Sequence, residues 1–348
     1  MQDGMRRWLR CARRVPGWLI QAAFGAALLG FALWWVDLGD VGRTFSRAHY
    51  QWVLLAIAIY ALTRVVHTVH WQVYLVKVGR VPFLQLLGAF VIGNFMNSVL
   101  PARAGDVATI QLVANRYGLS RAGMIAASGV ETVLDALVLV MMMLAAVALL
   151  NVSFVSAVVL WMLVALAAAA GVAAVVSSRL IPPAMPRWRW LEIVPDRARG
   201  VLRDAWPRLR DGLEAVRNER ILVLVLALTV VGYGMEVLTF WAFGGAFSLG
   251  LPLRTYVSVT VAVSFVRTFP VTFQNIGTYE VVLLGLLKRE GVTSSDAFAY
   301  AVATRILVSA SITIMGLFAM WLMAVRPRDV FALRRDTALP ASPAGSRQ

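Results

Sequence analysis

The residues in this chain whose types could do chemistry are charges set in apolar surroundings. Arg64, Arg103, Arg267 and Arg305 stand with Asp106, Glu131, Asp135, Glu236 and Glu280 in stretches that are otherwise hydrophobic. If those stretches cross a bilayer, a charge at its centre costs about 2.5–3.5 kcal/mol even on the most lenient insertion scale. Each must then be paired or employed. Arginine offers a planar fork that matches a phosphate group, so the employment its type suggests is gripping an anionic headgroup. Arg64, His67, Trp71 and Tyr74 recur at spacings of three and four, which puts them on one helical face with His70 beside them. That face is either a phosphate-gripping stripe inside a cavity or an arginine held by Glu131 or Asp135 as structural glue. Glu131 and Asp135 lie one turn apart and serve either as counter-ions to arginines or as a pair that carries a proton. Arg103 and Arg267 have the strongest functional claim, because each is an arginine at a break in the helix pattern.

Other chemistries have less to work with. His67-Thr68-Val69-His70 together with Glu131 and Asp135 could ligate zinc in an intramembrane enzyme. The chain contains no H-E-x-x-H, no G-x-S-x-G and no Asp-rich diphosphate motif. Its one cysteine, Cys11, excludes a disulfide framework and cysteine-based metal sites. The expectation is therefore no catalytic residue, no metal and no cofactor.

The elements that position these residues follow from composition. The 348 residues are 60% hydrophobic and 15% charged, with mean hydropathy +0.74, which excludes an ordinary globular chain. Net charge is +15, almost all from arginine, since Lys77 and Lys288 are the only lysines. Stretches near the ~20 apolar residues that cross a bilayer fall at 18–36, 52–76, 122–149, 157–176, 221–247 and 297–324. The first reads as an uncleaved anchor behind Arg6, Arg7, Arg10, Arg13 and Arg14. Segment 177–220 and the tail after 325 collect arginines, whereas 150–156 and 248–253 carry no charge. The positive-inside rule then puts both termini in the cytoplasm. Residues 197–217 read as a surface helix on anionic headgroups or as a solvated linker, and 326–348 as a disordered cytoplasmic tail.

Two further apolar regions, 83–117 and 254–290, are each interrupted, at Pro101–Gly105 and at Pro270–Gly277. The helix resuming after each break is about a dozen residues, which reaches only ~18–20 Å of a ~30 Å hydrocarbon layer, so these regions read as re-entrant hairpins. They also correspond: Gly105-Asp106, Gly118-Leu119-Ser120 and Glu131 in one match Gly277, Glu280, Gly291-Val292-Thr293 and Arg305 in the other. Three full spans separate the copies. Because three is odd, the second copy enters from the opposite side. The expected fold is an all-α polytopic membrane protein of six full spans and two re-entrant hairpins in an inverted-topology repeat. Its halves are 1–150 and 151–325. Broken backbone at membrane depth must line a polar cavity, and each returning helix would aim free N–H groups at the midplane. Asp106 and Glu280 lie in those first turns, where a carboxylate satisfies amide donors or meets a substrate. Asn94, Asn97, Gln274 and Asn275 would be polar groups near the hairpin tips, binding substrate or satisfying backbone.

At these residues the chain resembles a known family. Gly93-Asn94…Asn97…Leu100-Pro101-Ala102-Arg103-Ala104-Gly105-Asp106, then Val130-Glu131…Leu134-Asp135, then Phe269-Pro270…Gly277…Glu280 and Arg305 resemble the flippase-like transmembrane region of lysylphosphatidylglycerol synthases. The resemblance implies a bacterial inner-membrane protein that moves lipids or lipid-linked headgroups between leaflets. Stand-alone relatives are associated with envelope glycolipid and hopanoid pathways. Two departures stand out: Asp106 where glutamate is commoner, and Gln274-Asn275-Ile276-Gly277 where a Gly-Gly-Leu-Gly-like run is commoner. A soluble aminoacyl-transfer domain is not expected, since about two dozen residues follow the last span.

The expected mechanism is alternating access, with an anionic headgroup passing between the hairpins while its acyl tails stay in lipid. Candidate substrate-binding residues are Arg64, His67, Asn97, Arg103, Asp106, Glu131, Asp135, Arg267, Asn275, Glu280 and Arg305. Expected partners are membrane lipids (an anionic phospholipid or a lipid-linked substrate), with a lipid-modifying enzyme or a second copy of the chain besides, and no nucleic acid. The other classes are an intramembrane lipid-modifying enzyme and a non-transporting scaffold for one; small-residue runs such as Ala167-Ala168-Ala169-Ala170-Gly171 permit close packing of the latter kind.

Overall fold

A computed structural model describes residues 45–100, 104–150, 217–268 and 272–325, with a few isolated positions outside these stretches. The expected spans at 18–36 and 157–176, most of the segment 177–220, the tail, Arg103 and Pro270 lie outside the described residues. Within them the chain forms eight α-helices and no strand: α1 (Tyr50–Tyr74), α2 (Phe83–Val99), α3 (Ala104–Tyr117), α4 (Arg121–Leu150), α5 (Glu219–Ala246), α6 (Leu253–Thr268), α7 (Thr278–Arg289) and α8 (Ser294–Leu322). A 3-10 turn, Phe273–Asn275, precedes α7. Four helices are long and apolar enough to cross a membrane, namely α1, Arg121–Val147 within α4, α5 and α8.

The short helices are bounded where local chemistry requires it. The C-cap residue of α2, Leu100, is extended because a proline follows and disfavours helical backbone before it. At 17 and 14 residues α2 and α3 extend about 26 and 21 Å, and α6 and α7, at 16 and 12 residues, about 24 and 18 Å. Gly118 closes α3 and Gly291 follows α7, both left-handed with φ of 66° and 85°, where a residue without Cβ is cheap. Two residues later a hydroxyl caps the next helix: Ser120 Oγ accepts from Gly123 N, and Thr293 Oγ1 from Asp296 N, both at 3.2 Å. The two Gly-apolar-hydroxyl motifs are one device used twice.

Packing repeats as well. Exchanging α1 with α5, α2 with α6, α3 with α7 and α4 with α8 maps each principal helix–helix contact onto another. Thus α1–α2 answers α5–α6, α2–α3 answers α6–α7, α3–α4 answers α7–α8, and α2–α8 answers α6–α4, while α1–α5 maps onto itself. Helices α1 and α5 run antiparallel: His49 N donates to Ala246 O (2.9 Å) at one end, and His70 meets Thr229 at the other. Two cores result. One gathers α2, α3 and the neighbouring ends of α1 and α4 with Val225 of α5, Ala319 of α8 and Met323 just beyond its end. The other gathers α5 to α8 with Val53 and Ala56 of α1.

Candidate functional site

Six helices, α1 to α6, line a partly open cavity of about 470 Å³, within the range of small-molecule sites. Its wall carries His67 and Trp71 from α1, Asn94 from α2, Asp106 and Thr109 from α3, Glu131 and Asp135 from α4, Thr229, Tyr233 and Glu236 from α5, and Arg267 from α6. So concentrated a set of ionisable side chains among helices of this hydropathy needs a polar interior, since lipid would leave each uncompensated.

The acids divide into two groups. Asp106, Glu131 and Asp135 each accept from a neutral donor. Asn97 Nδ2 gives to Asp106 Oδ1 at 2.8 Å, Trp71 Nε1 to Glu131 Oε1 at 2.8 Å, and Thr229 Oγ1 to Asp135 Oδ1 at 3.5 Å. Glu236 instead faces cations: its Oε1 lies 3.6 Å from Arg64 Nη2 and 3.3 Å from Arg267 Nη1. The sequence offered Glu131 or Asp135 as the partner of Arg64, and the structure supplies Glu236. Arg64 is buried and its guanidinium lies 4.7 Å over the Tyr60 ring. The side chain of Arg267 is 41% exposed, open to the cavity. His67 stacks on Phe90, with centroids 6.0 Å apart.

The two breaks meet beside this cavity. Gln274 Nε2 donates to the carbonyl of Leu100, 174 residues away, at 3.0 Å. At the first break Asn97 spans the gap, since its Oδ1 accepts from Gly105 N at 2.8 Å while its amide holds Asp106. At the second, Glu280 accepts from Gly277 N at 2.8 Å and pairs with Arg305. Arg305 also donates to the carbonyls of Gln274 (3.0 Å) and Asn275 (2.8 Å), residues whose left-handed φ of 53° and 57° turns those oxygens toward it. The helix N-terminal N–H groups expected to face a ligand are thus engaged at Gly105 and Gly277 by the protein itself.

Of the candidate residues, the structure brings His67, Asp106, Glu131, Asp135 and Arg267 into the cavity wall. Arg64 and Asn97 stand one contact behind it. Asn275, Glu280 and Arg305 form a separate cluster at the second break, and Arg103 lies outside the described residues. Glu236 was visible in the sequence as a charge at depth, and its role as hub required knowing that α5 packs against both α1 and α6. Among the described residues no three of His, Cys, Asp and Glu are grouped as metal ligands would be; His70 Nε2 is 3.0 Å from the Thr229 hydroxyl.

A family model described as the lysylphosphatidylglycerol synthase TM region matches residues 18–316. The chain belongs to this family. It is a multi-pass membrane protein, and every charge of the cavity lies within the matched region. The chain is also similar to a UPF0104 membrane protein of Pyrococcus horikoshii, 30% identical over 86 residues that cover 24% of this chain and 26% of that protein. No solved structure matches the chain significantly. The family's region takes in both pairs of short helices and the cavity between them.

Proposed function

We propose that the protein moves an anionic phospholipid or a lipid-linked headgroup between the leaflets of a bacterial inner membrane by alternating access. The observation that carries this reading is the juxtaposition of a roomy, charged cavity with two helix breaks that touch each other. A static scaffold can use a buried charge to hold backbone, as Arg305 does, but it has no need of charges gathered around a cavity. A path for a headgroup has that need. The antiparallel packing of α1 on α5, two helices that also correspond in the contact pattern, supports an inverted repeat with α2–α3 and α6–α7 as re-entrant hairpins. On this reading the headgroup's phosphate is received by Arg267. Its hydroxyl-bearing portion faces Asp106, Glu131 and Asp135, which are hydrogen-bond acceptors, and the acyl chains remain in lipid. The N- and C-termini face the cytoplasm, and the chain carries out no covalent chemistry of its own.

The test is leaflet exchange by purified protein in vesicles bearing labelled phosphatidylglycerol. Wild type is expected to expose inner-leaflet label, and Arg267→Ala to slow exchange by roughly tenfold or more, the scale of one charge-assisted hydrogen bond. Wild-type vesicles that keep their label on its original side would end the proposal.

A further inference from the structure

We infer that Asp135 is a proton site: an anionic headgroup is bound together with a proton held on this carboxyl, and the two cross the membrane together. The inference rests on the transport reading for the movement, while the proton site rests on geometry of its own. Among the described residues, Asp106, Glu131, Asp135 and Glu236 line the cavity, against Arg267 in its wall and Arg64 one contact behind it. With every one of these acids ionised the site carries a net charge of −2, which turns an anion away. Both arginines face Glu236. No described cation lies within ion-pair distance of Glu131 or Asp135. The other titratable groups around Asp135 are Glu131 one turn before it, Asp106 on α3, His67, His70 and Tyr74 on α1, and Tyr233 on α5. None of them supplies a fixed positive charge.

Thr229 has one hydrogen and three neighbours that could take it. Its Oγ1 lies 3.0 Å from Val225 O, 3.0 Å from His70 Nε2 and 3.5 Å from Asp135 Oδ1. An ionised Asp135 would therefore be last in line for a hydrogen that two nearer atoms compete for. A carboxylic acid reverses the contact. It donates its own hydrogen to a lone pair of Oγ1, and Thr229 keeps its hydrogen for Val225 O. Glu131 differs, because its Oε1 takes the Trp71 indole N–H at 2.8 Å, a bond it accepts with or without a proton. Tyr74 is an independent sign. It is 1% exposed, its hydroxyl has no partner, its ring centroid stands 4.8 Å from that of His70, and the charges of Glu131 and Asp135 reach it. An ionised carboxylate nearby would draw that donor, whereas beside a neutral one it stays idle. Asp135 lines the partly open cavity, so its proton is exchanged with the water there. A singly charged headgroup and one proton then cross as a neutral pair, which removes the cost of carrying a net charge through the midplane.

The experiment measures the affinity of full-length wild type, Asp135→Asn and Glu131→Gln for phosphatidylglycerol and phosphatidylcholine, in detergent, from acid to alkaline pH. Only the protonated site takes an anion. Phosphatidylglycerol binding is therefore full below the pH at which Asp135 gives up its proton and weakens above it, by up to about tenfold per pH unit for one proton. Phosphatidylcholine, with no net charge, should show no such slope. Asp135→Asn, whose amide donates to Thr229 as the acid does, should bind phosphatidylglycerol evenly across the range, whereas Glu131→Gln should shift the affinity and keep the slope. If Asp135→Asn does not fold, Thr229→Val replaces it: without the oxygen that takes the proton of Asp135, binding should begin to weaken at a lower pH than in wild type. In vesicles, an imposed difference of one pH unit should drive labelled phosphatidylglycerol toward the alkaline side, to a leaflet ratio of about ten for one proton per lipid. Binding that is flat with pH in wild type, a slope that survives in Asp135→Asn, an unmoved onset in Thr229→Val, or exchange blind to the gradient overturns the inference. A slope lost in Asp135→Asn without leaflet exchange in wild type would keep the proton site and remove transport. Exchange in wild type with flat binding would keep transport and remove the proton site.

Discussion

Arg305 and Glu280 show how a charge in a membrane protein can be wholly consumed by holding a backbone in place. The carboxylate of Glu280, 2% exposed, caps the first turn of α7 and pairs with Arg305, whose remaining donors take the carbonyls of Gln274 and Asn275. These are the oxygens that a helix break strands, and in lipid each would cost several kcal/mol. The guanidinium also lies 4.7 Å over the Tyr279 ring, a position a planar cation fills well. Arg305→Ala should lower the stability of the purified protein by about 3–5 kcal/mol, because it strands a buried carboxylate as well as two carbonyls. Arg305→Lys should recover only part of the loss, since an ammonium cannot fork to two carbonyls and a carboxylate. Thermal melts in detergent decide it: an Arg305→Ala protein that melts like wild type would remove the strut. From sequence, the charge and depth of Arg305 were legible and its partners were not. Which of several acids an arginine meets depends on helix packing across the chain, and the same ignorance hid Glu236 behind Glu131 and Asp135.

The short helices were the most legible elements, because their ends are set by local rules. A proline stops α2, a left-handed glycine follows α3 and α7, and a hydroxyl starts α4 and α8. How closely the helices of each pair approach is a tertiary matter. Between α2 and α3 the approach is glycine-lined: a Cβ on Gly105 would collide with the backbone of Gly93 and Asn97, and one on Gly93 would collide with Thr109. Backbone on the opposing side cannot swing away as a side chain can. Gly105→Val should therefore cost about 1–3 kcal/mol or more and open the first break. Gly129 of α4 is the control. A Cβ there meets nothing within 4 Å, so Gly129→Ala should leave stability unchanged or raise it by up to about 1 kcal/mol through helix propensity. Equal losses from the two substitutions would mean that α2 and α3 are not held in this close contact.

At the scale of the whole molecule, several contacts between α1–α4 and α5–α8 join residues a nearly constant distance apart in the sequence, as contacts near an axis relating two copies would. Leu100 and Gln274 are 174 residues apart, Arg64 and Glu236 are 172 apart, and the two turn glycines, Gly118 and Gly291, are 173 apart. Residues at equivalent places in two copies can touch only near the axis that relates them. If α1–α4 and α5–α8 are two such copies, the ion pair is possible because their sequences differ, whereas identical copies would put like charges together at Arg64 and Glu236. On the proposed inverted repeat, α1 and α5, which pack antiparallel, are related by an axis across their common direction, and so in the membrane plane if both cross it. The turn after α3 and the turn after α7 must then face opposite sides of the bilayer. In a chain with Cys11 replaced by serine, single cysteines at Tyr117 and Glu290 should react with a membrane-impermeant thiol reagent from opposite faces of oriented vesicles. Labelling of both from one face would require α1 and α5 to be unrelated by such an axis. The correspondence of motifs and contacts would then not reflect an inverted repeat, and one cavity could not be offered alternately to each leaflet by exchanging the roles of two halves.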